Sequence, residues 1–306
     1  HARSYHTLLP EQTLAFVQAN TNKSVRFQDI GAYNDLEAHR LDCPCPTDLH
    51  NYFVELPGPR NVLRTFERGE PALIGTSYLH PNFCLGSINR GDMWNQRRPL
   101  LAYWGDVDSP SYLRLRFLHD GYDFAAVQFF STQHQGAVLF GVVPATDGGD
   151  THINLDRLKN GTFSARELRL RFEFGGPAAE PPLRVPQTLR DNLLLPLPGL
   201  DVRISITYEA FPDFSPFWEG GKNEGTAYYD VVLYSGEERE FNLNEMDQAV
   251  VAGLVAVGHR SEMQGSLDEG LQNGLYSLDY QNLRLVLPVQ PAPQKELQRL
   301  FAKHNM

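Results

Sequence analysis

Several features that would fix a class at once are missing. The 306 residues include only three cysteines, too few for a disulfide framework. Cys43 and Cys45 stand in Cys-Pro-Cys, too close and too stiff to bridge each other easily. Cys84 could pair with either, and the Cys43/Cys45 spacing is not a usual zinc spacing. No run of about 18 apolar residues occurs, so no membrane span is expected. No basic stretch leads into an apolar run, so no signal peptide is read. The sequence opens on His1, as a processed product or a fragment would. Net charge is -10 and no Lys/Arg block stands out. No nucleic-acid partner is expected, because phosphate recognition needs a concentrated basic footprint.

What is present is a change of period. Residues 1–68 read as a helical segment, the edge or remnant of a larger α/α body. Pro10 to Gln18 carries Leu14 and Val17 on one side, Tyr33 to Arg40 fits a second short helix, and Thr47 or Asp48 caps a third. A last helical turn is read over Asn61 to Arg68. From residue 69 to 306 the period becomes two. Leu113–Leu118, Ala126–Phe130, Val138–Val143, Leu168–Phe174, Val202–Tyr208, Tyr229–Tyr234 and Leu283–Leu287 all alternate. Asp120-Gly, Asp147-Gly-Gly, Asn160-Gly, Gly175-Gly-Pro and Gly220-Gly mark turns between them. The fold class that follows is mostly β, a large antiparallel β-sandwich, with arginines alternating on an outward face. Val250–Val257 is apolar throughout and reads equally as helix or buried strand. Pro293 to Phe301 reads as a short amphipathic helix.

The segment Tyr78 to Pro99 is unusual. It packs three large aromatics, a histidine, three arginines, three asparagines and an aspartate into one stretch. A core strand does not carry so many groups that each need a partner. Two readings stand side by side: a surface that grips a flat polar ligand such as a sugar ring, or a structural corner tied together by Arg and Asn.

Tyr78 to Gly105, with Phe117 to Phe124 and Asp147 to His152, resembles the C-terminal half of a group of microbial proteins. Their architecture is similar to that of heparinase II/III-type polysaccharide lyases, which join a helical toroid to a β supersandwich. The resemblance implies a supersandwich-like fold here and a carbohydrate-active, polysaccharide lyase-like role on an acidic glycan. The partners it implies are an acidic polysaccharide and a separate or missing helical toroid domain, in a secreted or periplasmic setting. The competing reading is a non-catalytic glycan-binding or structural module that works with a separate helical domain.

Elimination across a uronic acid needs a base, a group that neutralises the carboxylate, and an acid for the leaving oxygen. Tyr78, His80, Arg97 and Arg98 supply those residue types. Asn89, Arg90, Trp94 and Asn95 are the substrate-binding candidates. On a strand, Tyr78 and His80 share one face. Trp104 reads as core. His134, Asp150 and His152 could hold a metal, since imidazole and carboxylate suit zinc; the alternative is an Asp-capped Gly-Gly turn. No cofactor is required, and a structural zinc or calcium is the metal the resemblance allows. Glu219, Glu224 and Asp230 contain carboxylates that could pair for glycoside hydrolysis, yet their Gly-Gly and Pro flanks read as an exposed loop. The enzyme reading expects Tyr78 and His80 in a cleft with Arg97 or Arg98.

Overall fold

The computed structural model describes residues 59–67, 72–94, 98–105, 109–149, 158, 160–179, 184–197, 199–211, 214–223 and 225–305. The helices read over 10–53 lie outside these residues. Where a last helical turn is expected, the chain instead forms strand β1 (Arg60–Glu67), paired antiparallel with β2 (Leu73–His80). Val62, Thr65 and Phe66 explain the difference, because β-branched and aromatic side chains lose rotamer freedom in a helix and favour a pleated surface.

Three antiparallel sheets make up the described body. The first continues from β1 and β2 through β3 (Phe83–Ile88), β5 (Leu100–Gly105), β6 (Pro110–His119), β10 (Thr162–Gly175), β14 (Thr226–Asn242) and β13 (Phe217–Asn223), with β7 (Tyr122–Asp123) paired to β6. The second runs β11 (Leu193–Leu197), β12 (Leu200–Ala210), β15 (Val250–Gly258), β9 (Ala137–Pro144), β8 (Val127–His134), β4 (Arg90–Asp92). The third is β16 (Leu267–Gln272), β17 (Leu275–Tyr280), β18 (Leu283–Pro288). Helix α1 (Gln294–Asn305) follows.

The first two sheets face each other as a β-sandwich. Phe117, Leu170, Phe172 and Tyr229 from one side meet Phe129, Phe140, Val142 and Val255 from the other. Phe140 and Phe172 touch edge to face with ring centroids 6.0 Å apart. The third sheet and α1 then cover the far side of the second sheet. Phe301 of α1 stacks on Phe130 of β8 at 4.9 Å, and Leu285 and Leu287 pack with Leu139 and Leu254. Burying a phenylalanine such as Phe301 contributes roughly 1.5–3 kcal/mol.

The centre of the middle sheet is therefore buried on both faces. Every residue of β9 and β15 is buried. This settles Val250–Val257 as a strand, and it corrects the two-sided alternation read for Val138–Val143: with apolar layers on both faces, a strand has no polar face to show. Gly141 and Gly253 make this possible. A Cβ on Gly141 would fall 2.0 Å from Leu287 Cδ1, and one on Gly253 would fall 2.1 Å from the Ser205 carbonyl oxygen.

The outer face of the first sheet carries the alternating arginines. Asp230, fully buried, accepts hydrogen bonds from Arg169 Nη1 (3.1 Å), Arg171 Nε (2.8 Å) and Arg171 Nη2 (2.7 Å). Glu219 sits opposite Asp230 and also binds Arg169, at 2.6 Å, while Glu167 pairs with the same guanidinium. Glu173 accepts from Arg114 Nε (2.6 Å) and Arg116 Nη1 (3.0 Å), and Asp123 takes Arg116 Nε at 2.8 Å. The loop read around Glu219 is thus strand β13, and Asp230 is a structural counter-ion. Glu224 lies outside the described residues.

Candidate functional site

Period two places Ile74, Thr76, Tyr78 and His80 along one face of β2. Their cross-strand neighbours on β3 are Ile88's neighbour Ser87 opposite Thr76, Leu85 opposite Tyr78, and Phe83 opposite His80. Across the sandwich this row meets polar groups of β8. Ser87 Oγ donates to Gln133 Oε1 at 2.7 Å, Ser131 Oγ donates to the Ile88 carbonyl at 2.8 Å, and Gln133 Nε2 donates to the Leu85 carbonyl at 2.8 Å. Where β2 meets β8 and α1 they leave a half-open cleft of about 160 Å³. Thr76, Ser87, Asn89, Ser131, Thr132 and Gln133 line it, with Ile74, Phe301 and Asn305. Among the described residues no lysine or arginine does.

Asn89 was expected to contact substrate. Its Oδ1 accepts from Ile74 N (2.9 Å) and its Nδ2 donates to the Ala72 carbonyl (3.0 Å), so its amide fixes the start of β2 while forming part of the cleft wall. Asn305 likewise holds β18, accepting from Val286 N at 2.7 Å and donating to the Val286 carbonyl at 2.8 Å. These groups build the wall. Thr76 and Thr132 add hydroxyls to it.

The row continues to Tyr78 and His80, whose rings lie 6.1 Å apart. His80 stacks on Phe83 at 4.8 Å, and its Nδ1 accepts from Asn82 N at 3.2 Å. Burial lowers the His80 pKa, and His259 adds to this while Glu262 opposes it. Burial, then the charge of Glu262, raises the pKa of Tyr78. His259 and Glu262 come from the turn after β15, closed by Glu262 Oε2 accepting from His259 N at 3.1 Å. Chemically, Tyr78 keeps its proton at neutral pH and is a donor rather than a base. Neutral His80 uses its Nδ1 lone pair on Asn82 and presents Nε2–H. The pair suits hydrogen bonding to hydroxyls better than proton abstraction.

Arg98, one of the two arginines expected beside Tyr78 and His80, lies elsewhere. Arg98, at φ 42°, hydrogen-bonds Tyr103. Tyr103 pairs with Cys84, on the face of the sheet opposite Tyr78 and His80. The expected grouping of Tyr78, His80 and Arg98 is not formed. Arg97 and Asn95 lie outside the described residues. Arg90 sits on β4 opposite Phe130, in the second sheet, and Trp94 is half-buried just past that strand. Trp104 is core, edge-on to Phe174 at 6.4 Å.

Of the metal candidates, Asp150 and His152 lie outside the described residues. His134 is exposed at the turn end of the β8–β9 hairpin, paired with Ala137, whereas Asp147 follows the other end. Asp147 caps its turn by accepting from Gly149 N at 3.2 Å, and also receives Gln294 N at the start of α1. Among the described residues no group of three or more His, Cys, Asp or Glu is arranged to hold a metal. Among them, too, no helix is long and apolar enough to cross a membrane.

The chain matches no family model, no curated protein and no solved structure. The site must be read from its own geometry. Reasoning from sequence missed Thr76, Ser87, Ser131 and Gln133, although period two already placed Thr76 beside Tyr78. It had no signal for His259 and Glu262, which reach the row only through the fold.

Proposed function

We propose that this β-sandwich is a glycan-binding module of a carbohydrate-active protein, working beside a separate helical domain. The observation that carries the reading is the half-open cleft walled by hydroxyls and amides at Thr76, with Tyr78 and His80 following on the same face of β2 beyond its lining. Neutral donors and acceptors of this kind match sugar hydroxyls. The resemblance of Tyr78 to Gly105 to lyase-like proteins supports a polysaccharide partner. Among the described residues the cleft lining holds hydroxyls and amides and neither arginine nor lysine, which favours recognition through hydroxyls over recognition of a uronate carboxylate. It also favours the module over the lyase.

The test is affinity electrophoresis and calorimetry of the whole chain against neutral and uronic-acid polysaccharides, with ultraviolet absorbance followed for unsaturated uronate product. Binding that falls about threefold to tenfold in Thr76→Val/Thr132→Val, with no absorbance rise, is the expected result, given the modest worth of single hydrogen bonds. An absorbance rise abolished by Tyr78→Phe or His80→Ala would reinstate elimination chemistry. Retention of no polysaccharide at all would remove the reading.

A further inference from the structure

The outer face of the first sheet holds an arrangement that the ion pairs do not explain. Two tyrosines lie flat across glycines of the neighbouring strand. Tyr112 on β6 is directly opposite Gly175 on β10, and Tyr228 on β14 is directly opposite Gly221 on β13. A Cβ on Gly175 would fall 2.1 Å from Tyr112 Cε1 and 2.2 Å from Cζ; a Cβ on Gly221 would fall 2.2 Å from the Tyr228 hydroxyl oxygen. Only glycine lets each ring reach the sheet backbone. A ring laid on the backbone turns its other side outward.

The two rings differ in what covers that side. The Arg171 guanidinium stands 4.0 Å from the Tyr228 ring centre, at stacking distance, and is fixed there by its two bonds to Asp230. The guanidinium of Arg114 lies farther from Tyr112, 5.9 Å from the ring centre, and is held on Glu173. Tyr112 is half-buried, and its hydroxyl donates to Glu173 Oε1 at 3.3 Å, which locks the ring in its plane. Tyr103 rises beside it, 6.3 Å away and tilted by 60°. The result is an aromatic floor, an aromatic wall and a rim of fixed carboxylate and guanidinium groups.

We propose that Tyr112 is the floor of a second sugar-binding site, on the outer face of the sheet and separate from the β2 cleft, that takes an uncharged pyranose ring. The proposal rests on the glycan-binding reading above. The C–H face of a pyranose stacks on an aromatic face, and its hydroxyls reach the polar rim. The charged groups of the rim are already engaged, Arg98 by a hydrogen bond to Tyr103. Glu173 is already shared by Arg114, Arg116 and Tyr112, and Asp123 holds Arg116. An anion or a cation would have to break one of these pairs to be bound, whereas a polyol adds to them.

The test uses the whole chain and neutral cello-, xylo-, manno- and laminari-hexasaccharides, with titration calorimetry as the readout. Tyr112→Phe keeps the ring; Tyr112→Leu still covers Gly175 but removes the aromatic face. A ring that only shields the glycine makes the two variants bind alike. A stacking floor makes Tyr112→Leu weaken binding about tenfold while Tyr112→Phe stays within about twofold of the parent. Thr76→Val/Thr132→Val is run in parallel. If only that variant loses affinity, the cleft stands and the Tyr112 site is overturned. If only Tyr112→Leu does, the Tyr112 site stands and the cleft falls. No binding of any hexasaccharide, or equal binding by Tyr112→Leu and Tyr112→Phe, overturns the Tyr112 site.

Discussion

Asp230→Asn is the sharpest probe of the outer lattice. The substitution is isosteric, so it opens no cavity and isolates the charge. Asp230 is wholly buried and its carboxylate receives three N–H groups from two guanidiniums whose side chains are only 11% and 15% exposed. Removing one partner of a buried ion pair costs about 3–5 kcal/mol, because the other charge is left behind. Two features move this case to the lower end. Arg169 keeps Glu219 and Glu167, and Arg171 keeps the face of Tyr228. The expected loss is therefore about 3 kcal/mol, with water reaching the partly exposed guanidiniums and damping the rest. Urea denaturation should show this as a lower midpoint at unchanged slope. Thermal melting should fall by roughly 6–12 °C for a body of this size. A loss under about 1 kcal/mol at unchanged slope would show that the lattice behaves as screened surface pairs, and the reasoning would fail. Replacing Asp230, Arg169 and Arg171 together by Leu, Leu and Met should recover most of the loss, since apolar groups of similar volume often match a buried ion set.

Two further outcomes follow from other parts of the fold. Gly253→Ala should destabilise by about 1–3 kcal/mol or more in the same urea assay, because its Cβ would meet the Ser205 carbonyl inside the middle sheet; Gly199→Ala, at φ 79° with nothing within 4 Å, should cost only backbone strain of about 1 kcal/mol. His80 should titrate by NMR below its ordinary 6.5. The unfolded chain then takes the proton first, so the stability His80 contributes is complete above pH 6.5 and is lost as pH falls from there through its lower folded value; a His80→Gln variant should lack that slope.

How far the sequence carried the fold depended on which faces met water. Leu113–Leu118 and Leu168–Phe174 alternate because one face is core and the other is the arginine lattice, so the period of two survives in the letters. Val250–Val257 has core on both faces, and with no polar side there is no period to read. Asn61 to Arg68 reads as helical because a strand at a sheet margin, with Leu63 to Phe66 all exposed, leaves little alternation. The same logic governed the site. Tyr78 and His80 share a face because strand geometry is local. The separation of Arg98 from them is not local: the chain passes Arg98 at positive φ and re-enters the sheet with Tyr103 pointing the other way. The pairing of Glu219 with Asp230 needed the β13–β14 register, and His259 and Glu262 needed the end of β15 to reach β2.

The double burial of the middle sheet has a consequence for synthesis on the ribosome. β8, β9, β12 and β15 are all made before β17, β18 and α1, which supply the layer over Leu139, Val143, Leu254 and Ala256. Until residues 275–301 have emerged, a nascent chain that has already closed its sandwich still shows that apolar sheet to the cytosol or to a translocation partner. Such exposed surface attracts chaperones and invites aggregation. Premature stops or proteolytic nicks between Gln264 and Leu275 should therefore yield insoluble product and no smaller working domain.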